Sequence, residues 1–351
     1  MADYQRLYSL ILKMSIDTNK KQHRRARKGA LQKQTKRIPN KDYSHDGEYL
    51  EMLIGVVIVT YNRLEKLKKC LASYETQSCL PDRILVYDNA STDGTKEYLN
   101  QWSSYSDSKV RKTVIHSPDN KGGAGGFKEG IRLMAEDKVD WIWVADDDAY
   151  PMPQCLENIQ ESYLALPKED AARTMALCAK VVDSNGMVSP LHRRNLRRSL
   201  LQVRELPLKG SQASCPARID FFSFVGTAIR TAAVHQIGLP DQDYFIYFDD
   251  SEYALRIGTI GTIFYVPDAV IMHDSKENEI SRRSWKNYYM FRNKLYTYKK
   301  YFPARYYHAE LCRTIFMILQ HYNCPVSWQQ FGRAVSDVRN DRLGANPRYL
   351  P

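Results

Sequence analysis

IGVVIVTYNR, at residues 54–63, is a continuous β-branched run that ends in a polar tail. A run apolar at every position, with no alternation, is what a strand buried on both faces of a parallel sheet requires. Outward from it, Leu64, Leu67 and Leu71 repeat at helical spacing, and RILVYD (83–88) gives a second strand. TVIH (113–116) precedes a glycine-rich loop and a helix, and WIWVADDD (141–148) is a strand that closes on three acids. Strands alternating with helices predict an α/β fold, a mostly parallel central sheet flanked by helices. MALCAKVV (175–182), IDFFSFVG (219–226), and IFYVP with AVIMH (263–273) read as later strands. Beyond residue 280 the chain turns helical and rich in aromatics and cations, which predicts a C-terminal helical region.

The expected organisation is a basic N-terminal arm over 1–50, a catalytic domain over 51–275 and an aromatic, basic helical region over 276–351. The 351 residues are 43% hydrophobic, enough for a substantial core and too many for a disordered chain. Of the formal charge of +11, most lies in the first 50 residues, where KKQHRRARKGALQKQTKRIPNK (20–41) has almost no large apolar side chain. That segment reads as flexible or partly helical; a bare charge run of this kind suits an anionic surface, nucleic acid or plain solvation. The longest apolar run, MLIGVVIV (52–59), is too short to span a bilayer, and LYSLILKM (7–14) lacks the features of a secretory signal. Seven scattered cysteines without a CxxC motif read as reduced thiols of a cytoplasmic protein.

In open α/β sheets ligands bind beyond the carboxyl ends of the strands. The four such ends in the first half carry Thr60-Tyr61-Asn62-Arg63, Asp88-Asn89-Ala90-Ser91-Thr92-Asp93-Gly94, Asn120-Lys121-Gly122-Gly123-Ala124-Gly125-Gly126 and Asp146-Asp147-Asp148. Each alone is ordinary turn chemistry; four on one rim suggest a site. The glycine loop could cradle a phosphate on its amides or be a flexible turn. In an extended segment Asp146 and Asp148 point to one side and Asp147 to the other. Two carboxylates on one side suit Mg²⁺ or Mn²⁺ holding a diphosphate. Downstream, YFIYFDDSEYALR (244–256) sets Asp249, Asp250 and Glu252 ahead of a helix. Asp249 and Glu252 have capping-box spacing and Asp250 could also cap, but three acids in four residues after a run of aromatics exceed what a cap requires. A carboxylate raised in pKa by burial and neighbouring charge is a sound general base for an alcohol nucleophile. His273 ends the AVIMH run, where a lone histidine is more often structural than a ligand.

VVIVTYNR (56–63), YDNASTDGT (87–95), NKGGAGGF (120–127), WIWVADDD (141–148) and IGLPDQDYFIYFDDSEYALR (237–256) together resemble glycosyltransferase family 2, the inverting enzymes of GT-A fold. The match covers about 200 residues in the family's order. NKGGAGGF with a triple Asp, and SWKNYYMFRNKL (284–295) soon after a His, are most similar to bacterial galactofuranosyltransferases; rhamnosyltransferases using dTDP-rhamnose share much of the pattern. The resemblance implies that Thr60, Asn62, Arg63, Asp88, Asn89, Lys121, Gly122 and Asp147 bind the donor nucleotide. It implies that Asp146, Asp148 and His273 hold Mn²⁺ or Mg²⁺, that Asp250 is the catalytic base, and that Asp249 and Glu252 are acceptor-side or supporting acids. Phe248 departs from the tryptophan that often precedes the paired acids in galactofuranosyltransferases, which bears on the acceptor contacts.

The function this implies is metal-dependent, inverting transfer of a hexosyl group, with galactofuranose from UDP-galactofuranose the first expectation and rhamnose from dTDP-rhamnose the second. The implied partners are a nucleotide-diphospho-sugar donor and a glycan or polyprenyl-linked glycolipid acceptor of cell-surface polysaccharide synthesis, with no nucleic acid. Residues 282–307 interleave eight Lys and Arg with ten aromatics, which suits either an interfacial helix or a helical lid packed on the catalytic domain. A cytoplasmic enzyme docked peripherally at the inner face of the cell membrane fits such an acceptor. HRRNLRRSLLQVR (192–204) reads as a loop near the acceptor side. A basic binding module without catalysis is the competing class, but gives no reason for acids at strand ends. A nucleotidyltransferase would carry a GxGTR-like loop where this chain has VTYNR.

Overall fold

The computed structural model describes residues 52–104, 109–208, 210–275, 284–320 and 324–350, so the expected N-terminal arm lies outside the described residues. The first half alternates as the hydrophobic runs predict: β1 (Ile54–Thr60), α1 (Leu64–Glu75), β2 (Arg83–Asp88), α2 (Thr95–Ser104), β3 (Arg111–His116), α3 (Gly122–Glu136) and β4 (Trp141–Asp146). Then come β5 (Ala149–Pro151), α4 (Cys155–Leu164), α5 (Lys168–Arg173), β6 (Thr174–Val182), β7 (Arg193–Arg198) and β8 (Val203–Pro207). The remaining strands are β9 (Ala217–Ile219), β10 (Phe221–Phe222), β11 (Thr227–Arg230) and β12 (Thr262–His273). The later helices are α6 (Thr231–Ile237), α7 (Asp249–Ile260), α8 (Trp285–Tyr301), α9 (Ala304–Leu319) and α10 (Trp328–Arg339).

The main sheet runs β3-β2-β1-β4-β11-β6-β12-β5, with β9 also paired to β12. The pairs among β3, β2, β1 and β4 are parallel, as is β6 with β12; β11 is antiparallel to both neighbours. Successive β1 side chains go to opposite faces, and both faces are covered. Val56 and Ile58 join α1 (Leu67, Leu71, Tyr74) and α4 (Leu156, Ile159) on one side. Val57 and Val59 join α3 (Phe127, Ile131, Met134) and α7 (Tyr253, Ile257) on the other. That two-sided burial is why the strand has no polar alternation.

Two readings of the sequence change, and one open alternative is decided. IDFFSFVG is not one strand: β9 and β10 are separated at Asp220, and Gly226 (φ +69°) turns the chain into β11. The stretch 192–204 is not a loop but the β7–β8 hairpin of a second, three-stranded sheet ordered β10-β7-β8. The aromatics of 282–307 face inward: Tyr288, Tyr289, Phe291 and Leu295 of α8 are buried against Ala334 and Val338 of α10, and Tyr298 packs with Phe302 and Tyr306. Of the two expectations for this region, packing against the protein is the one realised by these side chains.

Candidate active site

Parallel pairing aligns the carboxyl ends of β1, β2, β3 and β4, since Thr60 lies beside Asp88, Asp88 beside His116, and Val59 beside Asp146. The polar tails therefore meet on one rim and interlock. Asn62, in the left-handed region at φ 51°, accepts from the Thr92 amide at 2.7 Å and donates its own amide to Ser91 Oγ at 2.9 Å. Asp88 Oδ1 accepts from the Ser91 amide, and its Oδ2 lies 2.8 Å from His116 Nδ1. Asn89 Nδ2 donates to Asn120 Oδ1 and to the Gly122 carbonyl, while Asn89 Oδ1 accepts from the Lys121 amide.

Three amides of the glycine loop are already engaged within the protein. The amides of Lys121, Gly122 and Ala124 already donate to Asn89, Asn120 and the Phe245 carbonyl. The glycines permit close approach. A Cβ on Gly126 would stand 2.6 Å from Val59 Cγ1, and one on Gly130 2.4 Å from Val57 Cγ1. Gly122 (φ +71°) passes so near the Phe245 carbonyl that a Cβ would meet it at 2.1 Å. Lys121 and Gly122 still lie on the rim beside Asn89, where a donor nucleotide is expected.

The three acids divide the work. β4 ends at Asp146, and Asp147 and Asp148 form a turn into β5, so the split arises from that turn and not from an extended strand. Asp147 is tied back to the end of β1, accepting from Thr60 Oγ1 at 2.8 Å and Arg63 Nη1 at 3.2 Å. Asp146, Asp148 and His273 each offer one ligand atom, all within 4.8 Å of one another. β12 brings His273 here because its last residue pairs with Ala149 of β5, directly after the acids. His273 Nε2 is 3.2 Å from Asp148 Oδ1, and its Nδ1 is 3.3 Å from His192 Nε2 and 3.2 Å from Ser275 Oγ. His192 in turn holds Ser223 Oγ at 2.6 Å. Two carboxylates and one imidazole are a hard, mixed O/N donor set that suits Mn²⁺ and tolerates Mg²⁺.

The electrostatics follow the geometry. Burial, and then the Asp148 charge, pushes the Asp146 carboxyl up to about 7. Burial raises Asp147 to about 6 against the opposing pull of Arg63. Burial also acts on Asp148, but the His273 hydrogen bond and the charges of His273, Arg63 and Lys66 outweigh it and hold that group at about 2. Arg63 Nη1 and Lys66 Nζ lie 2.8 and 3.3 Å from Asp148 Oδ2.

The second acidic motif opens α7. Neither Asp249 nor Asp250 caps that helix; its N-cap is Phe248, left-handed at φ 68°, with Phe245 and Tyr247 also left-handed at φ 65°. Such residues are strained, and here they are held from outside. Asn293 Nδ2 of α8 lies 2.9, 2.8 and 2.8 Å from the carbonyls of Tyr244, Ile246 and Tyr247. Burial, and then the Asp250 charge, raises Asp249 well above the ordinary carboxylate range, and repulsion from Asp146 adds to it. Burial also raises Asp250, with Arg194 partly opposing it. Asp250 Oδ1 accepts from the amide and hydroxyl of Ser251. The third acid goes elsewhere. Glu252, 1% exposed, accepts from Arg256 Nη2 at 2.9 Å and from the Tyr301 hydroxyl, so it supports the site by fastening α7 to α8.

Sequence reasoning missed four residues of this region: Lys66, His192, Tyr247 and Lys286. Lys66, in the first turn of α1, and Arg63, the residue before that helix, both reach Asp148 Oδ2, and their closeness in the sequence was the available signal. His192 hides in an arginine-rich run, and nothing local marks it. Tyr247 is raised by burial and then by Asp146, and Lys286 is lowered by burial and then by Arg63, so both side chains come within reach of the rim charges.

Known proteins share this chain's sequence family and fold. A galactofuranosyltransferase, GlfT1 of Mycobacterium tuberculosis, is 29% identical over 236 residues, 64% of this chain and 71% of that protein. An N-acetylglucosaminyl-diphospho-decaprenol L-rhamnosyltransferase of the same organism is 26% identical over 254 residues, 63% of this chain and 76% of that protein. A crystal structure of GalNAc-T7 with UDP, GalNAc and Mn²⁺ superposes at a TM-score of 0.56 and 14% identity, covering 84% of this chain and 55% of that one, a likeness of fold. The glycosyl transferase family 2 model matches residues 55–234, from β1 through β4 and β11 into α6. The chain belongs to glycosyl transferase family 2 and is a glycosyltransferase of GT-A fold.

Proposed function

We propose that this chain is a metal-dependent, inverting galactofuranosyltransferase. It takes UDP-galactofuranose as donor and a hydroxyl of a glycan or polyprenyl-linked glycolipid as acceptor, in cell-surface polysaccharide synthesis at the inner face of the cell membrane. The observation that carries the chemistry is the convergence of Asp146, Asp148 and His273 within 4.8 Å, with Asp249 close enough to feel the Asp146 charge.

The reaction is one displacement. Asp250 takes the proton from the acceptor hydroxyl as that oxygen attacks the anomeric carbon, and the nucleoside diphosphate leaves from the opposite face. Asp146, Asp148 and His273 would hold Mn²⁺ or Mg²⁺, which supplies positive charge for the departing diphosphate. Thr60, Asn62, Arg63, Asp88, Asn89, Lys121, Gly122 and Asp147 line the nucleotide side. Asp249 is the acceptor-side acid beside the base, its carboxyl raised well above the ordinary range by burial and the Asp250 charge.

The galactofuranosyl assignment draws on the GlfT1 relative; the rhamnosyltransferase relative favours dTDP-rhamnose as second reading. A product-release assay with UDP-galactofuranose and dTDP-rhamnose side by side, each with a polyprenyl-linked glycan acceptor and Mn²⁺, tests both. Acceptor-dependent UDP release supports the proposal. Turnover with dTDP-rhamnose alone moves the assignment to the second reading, and release from neither overturns both donors.

A further inference from the structure

The β7–β8 hairpin differs sharply between base and tip. At its base, Arg193 is buried and donates to the carbonyls of Ala179, Val225 and Gly226. Arg194 pairs with Glu205 and reaches Ser251 Oγ at 3.0 Å, next to Asp250. At the tip, Leu200 is 78% exposed, the most of any large apolar residue among the described residues, and Leu201 is 58% exposed. Around them stand the exposed side chains of Arg197, Arg198 and Arg204. Arg305 at the start of α9 is also exposed there, and no acid occurs between Asp183 and Glu205.

The tip is held, not loose. The Ser199 amide donates to the Gln202 carbonyl at 2.9 Å, closing the turn. Tyr306 Oη donates to the Ser199 carbonyl at 2.9 Å and Arg305 Nε to the Leu200 carbonyl at 3.1 Å. Arg198 lies over the Phe302 ring at 5.2 Å. The structure thus spends backbone acceptors to keep two adjacent leucines in water inside a ring of guanidinium groups. Apolar side chains surrounded by cations match one surface chemistry: an acyl boundary under phosphate headgroups.

We propose that the hairpin tip is the membrane-docking surface. Leu200 and Leu201 enter the interface of a bilayer that carries anionic phospholipid, and Arg197, Arg198, Arg204 and Arg305 engage its headgroup phosphates. Arg194 and Arg198 are four residues apart on one strand, about 13 Å at strand rise. The same strand therefore links the docked tip to the helix that bears Asp250. This purpose rests on the lipid-linked acceptor proposed above; the binding itself does not. The interleaved aromatics of α8, which the sequence offered for this role, are largely buried.

The test is flotation of the full chain with vesicles of phosphatidylcholine alone or mixed with phosphatidylglycerol, with no donor or acceptor present, so a wrong donor leaves it intact. The chain is expected to float with the anionic vesicles. Leu200→Ser with Leu201→Ser should lower that affinity about tenfold or more. Arg197→Gln with Arg204→Gln should remove the preference for anionic over neutral vesicles. Both double variants replace exposed side chains and should keep the wild-type melting temperature and full transfer to a short water-soluble acceptor. Unchanged flotation of the leucine variant overturns the proposal and leaves binding to another part of the chain. Loss of transfer to the soluble acceptor in step with flotation also overturns it, placing the leucines in the acceptor site. So does a wild-type dimer that the leucine variant converts to monomer without loss of flotation.

Discussion

Asn293, on a helix outside the sheet, donates its side-chain amide to the carbonyl of Tyr247 at 2.8 Å and thereby fixes the backbone three residues ahead of Asp250. The same nitrogen reaches the carbonyls of Tyr244 and Ile246, and Arg292 Nη2 also points at Tyr244 O, at 3.2 Å. Three left-handed non-glycine residues, Phe245, Tyr247 and Phe248, cost on the order of 1–3 kcal/mol each if unsupported. The Arg-Asn pair inside SWKNYYMFRNKL thus braces this strained loop from outside.

Asn293→Ala should leave the carbonyls of Ile246 and Tyr247 without this donor, with Tyr244 O still met by Arg292, and lower stability by about 2–3 kcal/mol. Because the braced Tyr247 carbonyl lies three residues ahead of Asp250, the proposed base, kcat should fall more than donor affinity, although Phe245 of the same loop also touches Gly122 and Ala124. Urea unfolding, steady-state kinetics and calorimetric binding of UDP together check this; equal losses in kcat and UDP affinity would argue against a specific effect on the loop.

Asp250→Asn should abolish transfer while nucleotide diphosphate binding stays within a few-fold of wild type. In the wild-type enzyme at saturating Mn²⁺, kcat/KM should rise with pH along a limb whose midpoint lies above the ordinary aspartate value of about 4, because burial raises Asp250 and the base acts only when ionised. A limb at or below that value would contradict the burial argument.

Asp249 has its pKa raised well above the ordinary range, so the folded state holds that proton more tightly than the unfolded state. The resulting stability is fully present below the unfolded value and is lost as pH rises through the folded one. Asp249→Asn should therefore be more stable than wild type at pH 8, with the gap closing toward pH 4. Urea midpoints across that range measure it.

Mn²⁺ should raise the melting temperature, and the rise should shrink as pH falls from 8 to 6, because Asp146, held up to about 7 by burial and Asp148, must lose its proton to bind. His273→Ala should remove most of the effect. His192→Phe deletes one of the two partners of His273 Nδ1, leaving Ser275, and should weaken Mn²⁺ binding about 10-fold, read by calorimetry.

Gly130→Ala should destabilise the fold by about 1–3 kcal/mol without altering the metal site, since its methyl would press on Val57. Full stability in the variant would show that α3 can move off β1 at little cost.

The sequence by itself determined the parallel half of the sheet. IGVVIV, ILVY and WIWVA carry the apolar continuity that two-sided burial demands, and polar residues can follow only where the strands leave the core. It also singled out Asp146 and Asp148 as a candidate pair, though by extended-strand alternation, whereas the turn after β4 is what sets them apart from Asp147. Tertiary structure alone decided the rest, because the deciding contacts lie far apart in the chain. Gly126 of NKGGAGGF and Gly130 beyond it serve the approach of α3 to Val59 and Val57, and the amides of Lys121, Gly122 and Ala124 are spent on Asn89, Asn120 and Phe245. His192 reaches the metal-site histidine only because β7 folds beside β10 and Ser223. Glu252 turns from Asp250 toward Arg256 and Tyr301 because helical geometry sends neighbouring side chains to different faces. The aromatics of α8 look equally fit for a membrane in sequence, and burial against α10 assigned them to the core.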